Sequence, residues 1–310
     1  MCCLFGLLDY NDSLNQKQKN KIISILATAC EARGTDATGI AYNYNNRLCI
    51  YKRPLAAHKI KFKIPNGVNL IMGHTRMTTQ GNERFNYNNH PFLGEANKMP
   101  FAMAHNGVLY NDDALKISEK LPETKIETDS YVAVQLIEKK KQLSFESLKY
   151  MAEQLMGSFT ITVMDRNDNL YFVKGDNPMC IYHFPKIGIY IYASTEEILL
   201  KALKRIPYKF GRPIKVDLEE GRILMLDRYG KQTTANFDTY MLDSFSYYQS
   251  TRYFYRPTVS KTVSKANKEY IGQLKTHANF YGYTDDMVDT LLEEGYSTDD
   301  IEEMLYCGVM

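Results

Sequence analysis

An α+β fold, two sheets with helices outside them, is predicted by three observations. Short apolar or alternating runs of strand length fall in two groups, over residues 3–105 and 158–227, with a block of helical spacing between them. They do not alternate regularly with helices, as a doubly wound parallel sheet requires. With 44% hydrophobic and 24% charged residues among 310, the chain has a globular composition and the length of one large domain with an appendage.

Cys3-Leu4-Phe5-Gly6-Leu7-Leu8 is an apolar run stopped by turn chemistry at Asp9-Tyr10-Asn11-Asp12, which reads as a buried strand. From Ser13 to Ala32, Ile22, Ile25, Leu26 and Ala29 recur at helical spacing, predicting a helix with a wet Lys/Gln/Asn face that ends before Gly34. Strands are expected at 38–44, 47–53, 68–74 and 101–105, with a long Gly/Asn/Pro-rich loop from Gly81 to Pro100. Helical patterns follow at 111–120, 129–141 and 145–155, then strands at 158–165, 170–174, 179–184 and 187–193. Thr195-Glu196-Glu197 opens a helix to Lys204 with an N-cap and early acids. Residues 214–217 and 222–227 read as a last hairpin about Glu220-Gly221.

Composition changes after Phe237. Residues 2–237 read as the main domain, 238–265 as a Tyr/Ser-rich linker or extension, and 266–310 as an acidic helical tail. The net charge of +2 hides this asymmetry, because nine acids and no Lys or Arg follow Lys275, leaving residues 1–275 with 38 basic against 27 acidic residues. In the tail, Gly282-Tyr283-Thr284-Asp285-Asp286 is echoed by Gly295-Tyr296-Ser297-Thr298-Asp299-Asp300. Thr284 and Thr298 are placed as N-caps of two short helices, a pattern that faintly resembles a ubiquitin-associated-type module.

Several classes are excluded. The basic residues are scattered, and the run Lys139-Lys140-Lys141 closes a helical pattern where cations are expected, so no nucleic-acid partner is predicted. No apolar stretch reaches the roughly 18–20 residues that cross a bilayer, and no basic n-region precedes an apolar run, so we expect a cytoplasmic protein without membrane contact. Six cysteines without CxxC spacing argue for reduced thiols, with no disulfide framework and no metal site.

The chemistry starts at Cys2. Methionine before so small a residue is normally trimmed, which would give Cys2 both a thiol and a free α-amine, a nucleophile and its base in one residue. Four further segments concentrate Gly, Arg, Asn and Asp as loops around a small polar ligand do: Arg33-Gly34-Thr35-Asp36-Ala37-Thr38-Gly39, Gly73-His74-Thr75-Arg76-Met77-Thr78-Thr79-Gln80-Gly81, His105-Asn106-Gly107, and Glu127-Thr128-Asp129-Ser130 opening a helix.

With Asn88-Asn89-His90-Pro91-Phe92, these segments in this order over residues 2–227 resemble the class II glutamine amidotransferase domain of the N-terminal-nucleophile hydrolases. The resemblance implies a four-layer αββα sandwich and hydrolysis of L-glutamine through a Cys2 thioester, without a cofactor. It assigns the oxyanion to the Asn106 side chain and the Gly107 N–H, the substrate carboxylate to Arg76 and Thr79, and its ammonium to Asp129. Arg33 and His74 are supporting residues: Arg33 orders the N-terminal segment, or pairs with Asp36, and His74 is a buried hydrogen-bonding residue. Cys3 stands where many members have glycine, bringing a second thiol beside the nucleophile. No phosphoribosyl-pyrophosphate motif, sugar-phosphate isomerase region or P-loop is found, so ammonia would pass to a separate acceptor synthase subunit. The alternatives are a glutamine-binding regulatory protein that recruits partners through its tail, and an amide hydrolase acting on an acylated amine. The oligomeric state is not legible.

Overall fold

A computed structural model describes residues 2–242 and, beyond them, 271–272, 274–276, 278–279, 282–294, 296, 298, 301 and 304–305. The chain divides into two compact units, residues 1–252 and 253–310.

In the first unit, β1 (Cys3–Asp9) is followed by α1 (Gln16–Cys30), β2 (Ala37–Tyr44), β3 (Arg47–Arg53), β4 (Leu70–Arg76), β5 (Phe92–Ala96) and β6 (Met99–Leu109). Helices α2 (Asp112–Ser118), α3 (Tyr131–Lys139) and α4 (Phe145–Gln154) come next. Then come β7 (Gly157–Asp165), β8 (Leu170–Lys174), β9 (Cys180–Phe184), β10 (Ile189–Ala193), α5 (Glu196–Arg205), β11 (Ile214–Lys215), β12 (Arg222–Leu226) and β13 (Gln232–Asn236). One sheet has the order β11-β9-β10-β1-β4-β2-β3 and the other β13-β12-β8-β7-β6-β5, and the described ladders are antiparallel.

The period of two along each strand explains the layering. In β1, Cys3, Phe5 and Leu7 pack with Ile22, Ile23 and Leu26 of α1 and Leu199 and Ala202 of α5. The intervening Leu4 and Leu8 pack against Ala102, Ala104, Met164 and Phe172 of the second sheet. That sheet's other face, with Phe101, Met103, Ile161 and Val163, packs under Val132, Leu136, Leu148 and Met151 of α3 and α4. The result is the expected αββα sandwich with three apolar layers. A strand covered on both faces reads as an unbroken apolar run, which is why β1 is so plain in the sequence. Burying each such Leu or Phe contributes roughly 1.5–3 kcal/mol.

Local chemistry sets the helix ends. Asn15 caps α1 by accepting from the Gln18 N–H, and the Gln18 side chain answers to the Asn15 N–H. Thr195 caps α5, whose first turn holds Glu196 and Glu197 and whose last holds Lys204 and Arg205, complementing the helix dipole at both ends.

Three expectations need correction. Lys19 is not on a wet face: its ammonium lies buried, 3.1 Å from Asp9 and 2.6 Å from Asn69 Oδ1, a polar anchor under the end of β1. The stretch from Gly81 to Pro100 is not all loop, because Phe92–Ala96 forms β5 and turns into β6 at Asn97-Lys98, both with positive φ (50° and 62°). This is the backbone of a tight hairpin turn, disguised in sequence by a lysine where glycine is usual. Residues 214–215 and 222–226 do not pair with each other. β11 adds to β9 of the first sheet, whereas β12 pairs with β8 and with the unforeseen β13, through a turn that has Gly230 at φ 78°.

In the second unit, α6 (Asp285–Glu293) starts at Thr284, whose side chain accepts from the Met287 N–H, with Asp285 and Asp286 in its first turn. Leu274, Ala278, Val288, Ile301 and Leu305 form a small core. The second repeat falls largely outside the described residues, as does the linker beyond Leu242. No helix among the described residues is long and apolar enough to cross a membrane.

Candidate active site

Between the two sheets, the side-chain pattern changes from apolar to polar toward one end. On the inward face of β4, Leu70 and Met72 are followed by His74 and Arg76. On β6, Ala102 and Ala104 are followed by Asn106, and on β7 Met164 gives way to Thr162 and Thr160. Cys2 stands at the same end, just before β1. The Leu4 N–H donates to Ser194 Oγ (2.8 Å) and the Ser194 N–H to the Leu4 carbonyl (2.9 Å), which pins the start of that strand.

Cys2 is half-buried, its Sγ 3.5 Å from the Met77 carbonyl, and Arg33 Nε donates to the Cys2 carbonyl (2.9 Å). Burial pushes the thiol pKa up, while the nearby Arg76 and Arg33 cations favour the thiolate. Cys3 does not compete with it. One residue further on, alternation carries its thiol to the helical side, where it is fully buried with Cys30 in the core.

The segment after Arg33 packs on the segment after Arg76. A Cβ on Gly34 would run into the Arg76 carbonyl and the Met77 nitrogen, so only glycine allows this approach. Asp36 then fastens the contact, its Oδ2 accepting from the Thr78 N–H (2.7 Å) and its own N–H donating to the Arg76 carbonyl (3.0 Å). Two stretches that look alike only in composition are thus two sides of one joint.

Arg76 is 3% exposed. Its Nη1 donates to Asn89 Oδ1 (2.7 Å) and its Nη2 to the carbonyls of Gln80 and Gly81. Burial works against the guanidinium charge, and Cys2, Asp36, Glu83 and Asp129 work for it, which places these groups in one electrostatic neighbourhood. Asp129 is equally buried, with Oδ2 accepting from the Leu109 N–H (2.6 Å) and Oδ1 from the Ser130 N–H (2.7 Å). Gln80 links the two charges: its carbonyl faces Arg76, and its side-chain Oε1 accepts from the Asp129 N–H (2.9 Å).

Three histidines fill the space behind. His74 Nε2 donates to the His105 carbonyl (3.0 Å), which fixes the neutral tautomer and leaves Nδ1 without a partner among the described residues. Burial, reinforced by Arg76, lowers its pKa to about 3. His90 packs between His74 and Phe92, 4.3 Å from each ring, and neither of its nitrogens has a partner among the described residues. The Ser130 hydroxyl lies between His105 Nδ1 (2.8 Å) and Asp129 Oδ1 (3.1 Å).

The next two residues on β6 stand out. Asn106 is fully buried, yet neither its Nδ2 nor its Oδ1 has a hydrogen-bond partner among the described residues. Gly107 has φ 143°, and a Cβ there would overlap the Ser158 carbonyl, so the position is closed to other residues. An orphaned carboxamide in a core costs about 1–3 kcal/mol, and such a group commonly serves something that is not always present.

The structure thus brings Cys2, Arg33, Arg76 and Asp129 into one region and sets His74 and Asn106 on the same inter-sheet face. Thr79 is exposed, while the neighbouring Thr78 has its hydroxyl buried without a partner. Sequence reasoning quoted Gln80, Asn89 and Ser130 within its motifs without giving them a role, and did not mention Lys52. Their positions inside the motifs could have flagged all three. Lys52, one lysine in an alternating strand, carries no signal.

Comparison with known proteins agrees with this architecture. Residues 74–201 match the glutamine amidotransferase domain family. The chain is 29% identical over 237 residues to the amidophosphoribosyltransferase of Methanocaldococcus jannaschii, a match covering 72% of this chain and 48% of that protein. It is 30% identical over 190 residues to the isomerizing glutamine–fructose-6-phosphate aminotransferase of Oceanobacillus iheyensis, covering 58% of this chain and 30% of that one. The chain therefore spans about half the length of the first relative and under a third of the second. Among solved structures, glutamine phosphoribosylpyrophosphate amidotransferase from B. subtilis, complexed with ADP and GMP, shares the fold with a TM-score of 0.59 at 21% identity. That likeness covers 76% of this chain and 49% of that one. Residues 74–201 of this chain accordingly match the glutamine amidotransferase domain family, and the αββα body that contains them has the fold of the class II, N-terminal-nucleophile amidotransferases it resembles.

Proposed function

We propose that this protein hydrolyses L-glutamine to glutamate and ammonia, with Cys2 as nucleophile once Met1 is removed, and passes the ammonia to a separate acceptor enzyme. The observation that carries the reading is Asn106, a buried carboxamide without a partner beside a glycine N–H, at the polar end of the inter-sheet layer where Cys2 lies. Two donors near a nucleophile are what a tetrahedral oxyanion requires.

In this reading the neutral Cys2 α-amine takes the thiol proton, and the sulfur attacks the side-chain carbonyl carbon of glutamine. The oxyanion forms against Asn106 Nδ2 and the Gly107 N–H. As it collapses, the α-ammonium returns its proton to the leaving nitrogen, ammonia departs, and a thioester remains. Water, deprotonated by the same amine, cleaves the thioester to glutamate and restores the thiol. Arg76 binds the substrate α-carboxylate with parallel hydrogen bonds, Asp129 accepts from its α-ammonium, and Thr79 adds a donor when the loop closes. Arg33 holds the Cys2 carbonyl, and His74, neutral at physiological pH, holds β4 to β6. Residues 2–237 would form this glutaminase body, and the linker 238–265 with the tail 266–310 would dock the acceptor.

The test joins intact mass to glutamate release, for the wild type and Cys2→Ala. A mass lacking Met1, with glutamate formation abolished by the substitution, is expected. A trimmed chain that binds glutamine but releases no glutamate would overturn the turnover reading in favour of a glutamine-binding regulator.

A further inference from the structure

Lys52 lies on β3, the outer strand of the seven-stranded sheet, opposite Gly39 of β2. Its side chain does not run out to solvent. The ammonium turns inward and donates to the carbonyls of Asn89 and Pro91, 5.2 Å from the centre of the Phe92 ring. A Cβ on Gly39 would strike the His90 carbonyl, so the segment 89–91 lies pressed between the bare backbone of β2 and the Lys52 side chain.

The placement is unfavourable by itself. Among the described residues no carboxylate forms an ion pair with Lys52, and the charge acting on it most is the like-signed Arg76. An apolar side chain on an edge strand would avoid the desolvation of an unpaired cation. What the ammonium holds is informative. Asn89 is fixed by its carbonyl to Lys52, by its Nδ2 to the Glu83 carbonyl (2.7 Å), and by its Oδ1 to Nη1 of Arg76 (2.7 Å). One chain of contacts therefore runs from Lys52 through Asn89 to the guanidinium.

We propose that Lys52 is a positioning residue for glutamine: by clamping Asn89 it sets the plane in which Arg76 presents its donors to the α-carboxylate. The inference rests on the glutaminase reading and deepens it. Lys52 touches neither substrate nor nucleophile in this scheme, so its removal should be felt in binding more than in turnover. Burial, with Arg76 second, brings its pKa down to about 8, and the titratable groups facing it are Arg76 and His74 on β4 and His90 before β5. Of these only Lys52 changes charge between pH 7 and 9, so its clamp weakens as pH rises through about 8.

The experiment measures kcat and KM for L-glutamine and the melting temperature, for wild type, Lys52→Met, Lys52→Arg and Asn89→Ala, at pH 7 and 9. For Lys52→Met the expected result is a KM about tenfold higher at pH 7, the loss of one charge-assisted hydrogen bond, with kcat changed less than about threefold. Lys52→Arg should restore KM at pH 7 and reduce its rise toward pH 9, since arginine keeps its proton. Adding Lys52→Met to Asn89→Ala should raise KM no further. A folded Lys52→Met with wild-type KM, or one whose kcat falls while KM holds, would overturn the proposal. If Lys52→Met does not fold, Asn89→Ala decides it: a wild-type KM there breaks the chain at its middle link. A wild type that neither binds nor hydrolyses glutamine overturns the functional reading itself, a result separable from a wild type that turns over while Lys52→Met is silent.

Discussion

Asn106→Leu separates catalysis from stability more sharply than any other substitution. Both polar atoms of the Asn106 side chain are buried without a partner, so folding strips them of water and returns nothing within the protein. Leucine has a similar volume and no polar atoms; on that face it follows the apolar Ala104 and lies opposite Thr160 of β7, whose hydroxyl is already bonded to the Asn177 carbonyl. Relief of about 1–3 kcal/mol follows. For a body of this size, at about 2–4 °C per kcal/mol, the melting temperature should rise by several degrees. Loss of one oxyanion donor should at the same time lower kcat about 10²- to 10³-fold with little change in KM. Scanning calorimetry and a coupled glutamate assay on one preparation read both quantities. A variant that melts lower than wild type would show that the carboxamide is bonded in the free protein, and one that keeps its kcat would remove Asn106 from the oxyanion site; either refutes the reasoning.

Two further predictions concern charge. Arg76→Lys replaces a planar fork by a point charge and abandons the contacts to Asn89, Gln80 and Gly81, so KM for glutamine should rise about 10- to 100-fold, with a smaller effect on kcat; an unchanged KM would move the carboxylate elsewhere. His74 and His90 have folded pKa values pushed below the ordinary 6.5, that of His74 to about 3. Between pH 6.5 and about 3 the unfolded chain therefore binds protons that the folded chain refuses. Stability should fall as the pH drops through that window, by up to about 1.4 kcal/mol per pH unit for each ring. Urea midpoints at pH 6.5 and 4.5 check this, and His74→Gln should flatten the slope.

The layering was legible because its cause is local. The apolar run of β1 and the cap at Thr195 are set by neighbouring residues, and so were visible in order. The pairing of β11 and β12 was not, because which sheet a short strand joins depends on edges supplied by β9 and β8, about 30 and 50 residues earlier in the chain. The polar residues of the site were visible as motifs, but their mutual support was hidden. Gln80 spans from Arg76 to Asp129 by one backbone and one side-chain contact, and Lys52 acts on Arg76 from a separate strand through a carbonyl. Backbone acceptors have no residue type, so no pattern of letters reports them.

The first strand sits in the middle of its sheet, between β4 and β10, and its register with β10 runs from Phe5–Ala193 to Asp9–Ile189. A chain synthesised at about 5–20 residues per second therefore exposes β1 for roughly ten to forty seconds before its second neighbour emerges. During that interval residue 2 hangs from a strand with at most one partner, β4, and is open to an aminopeptidase. Once β10 arrives, the Ser194–Leu4 contacts close over the strand. On the proposed chemistry, removal of the first methionine is then a race against completion of the sheet, and the position of β1 gives the processing enzyme its head start.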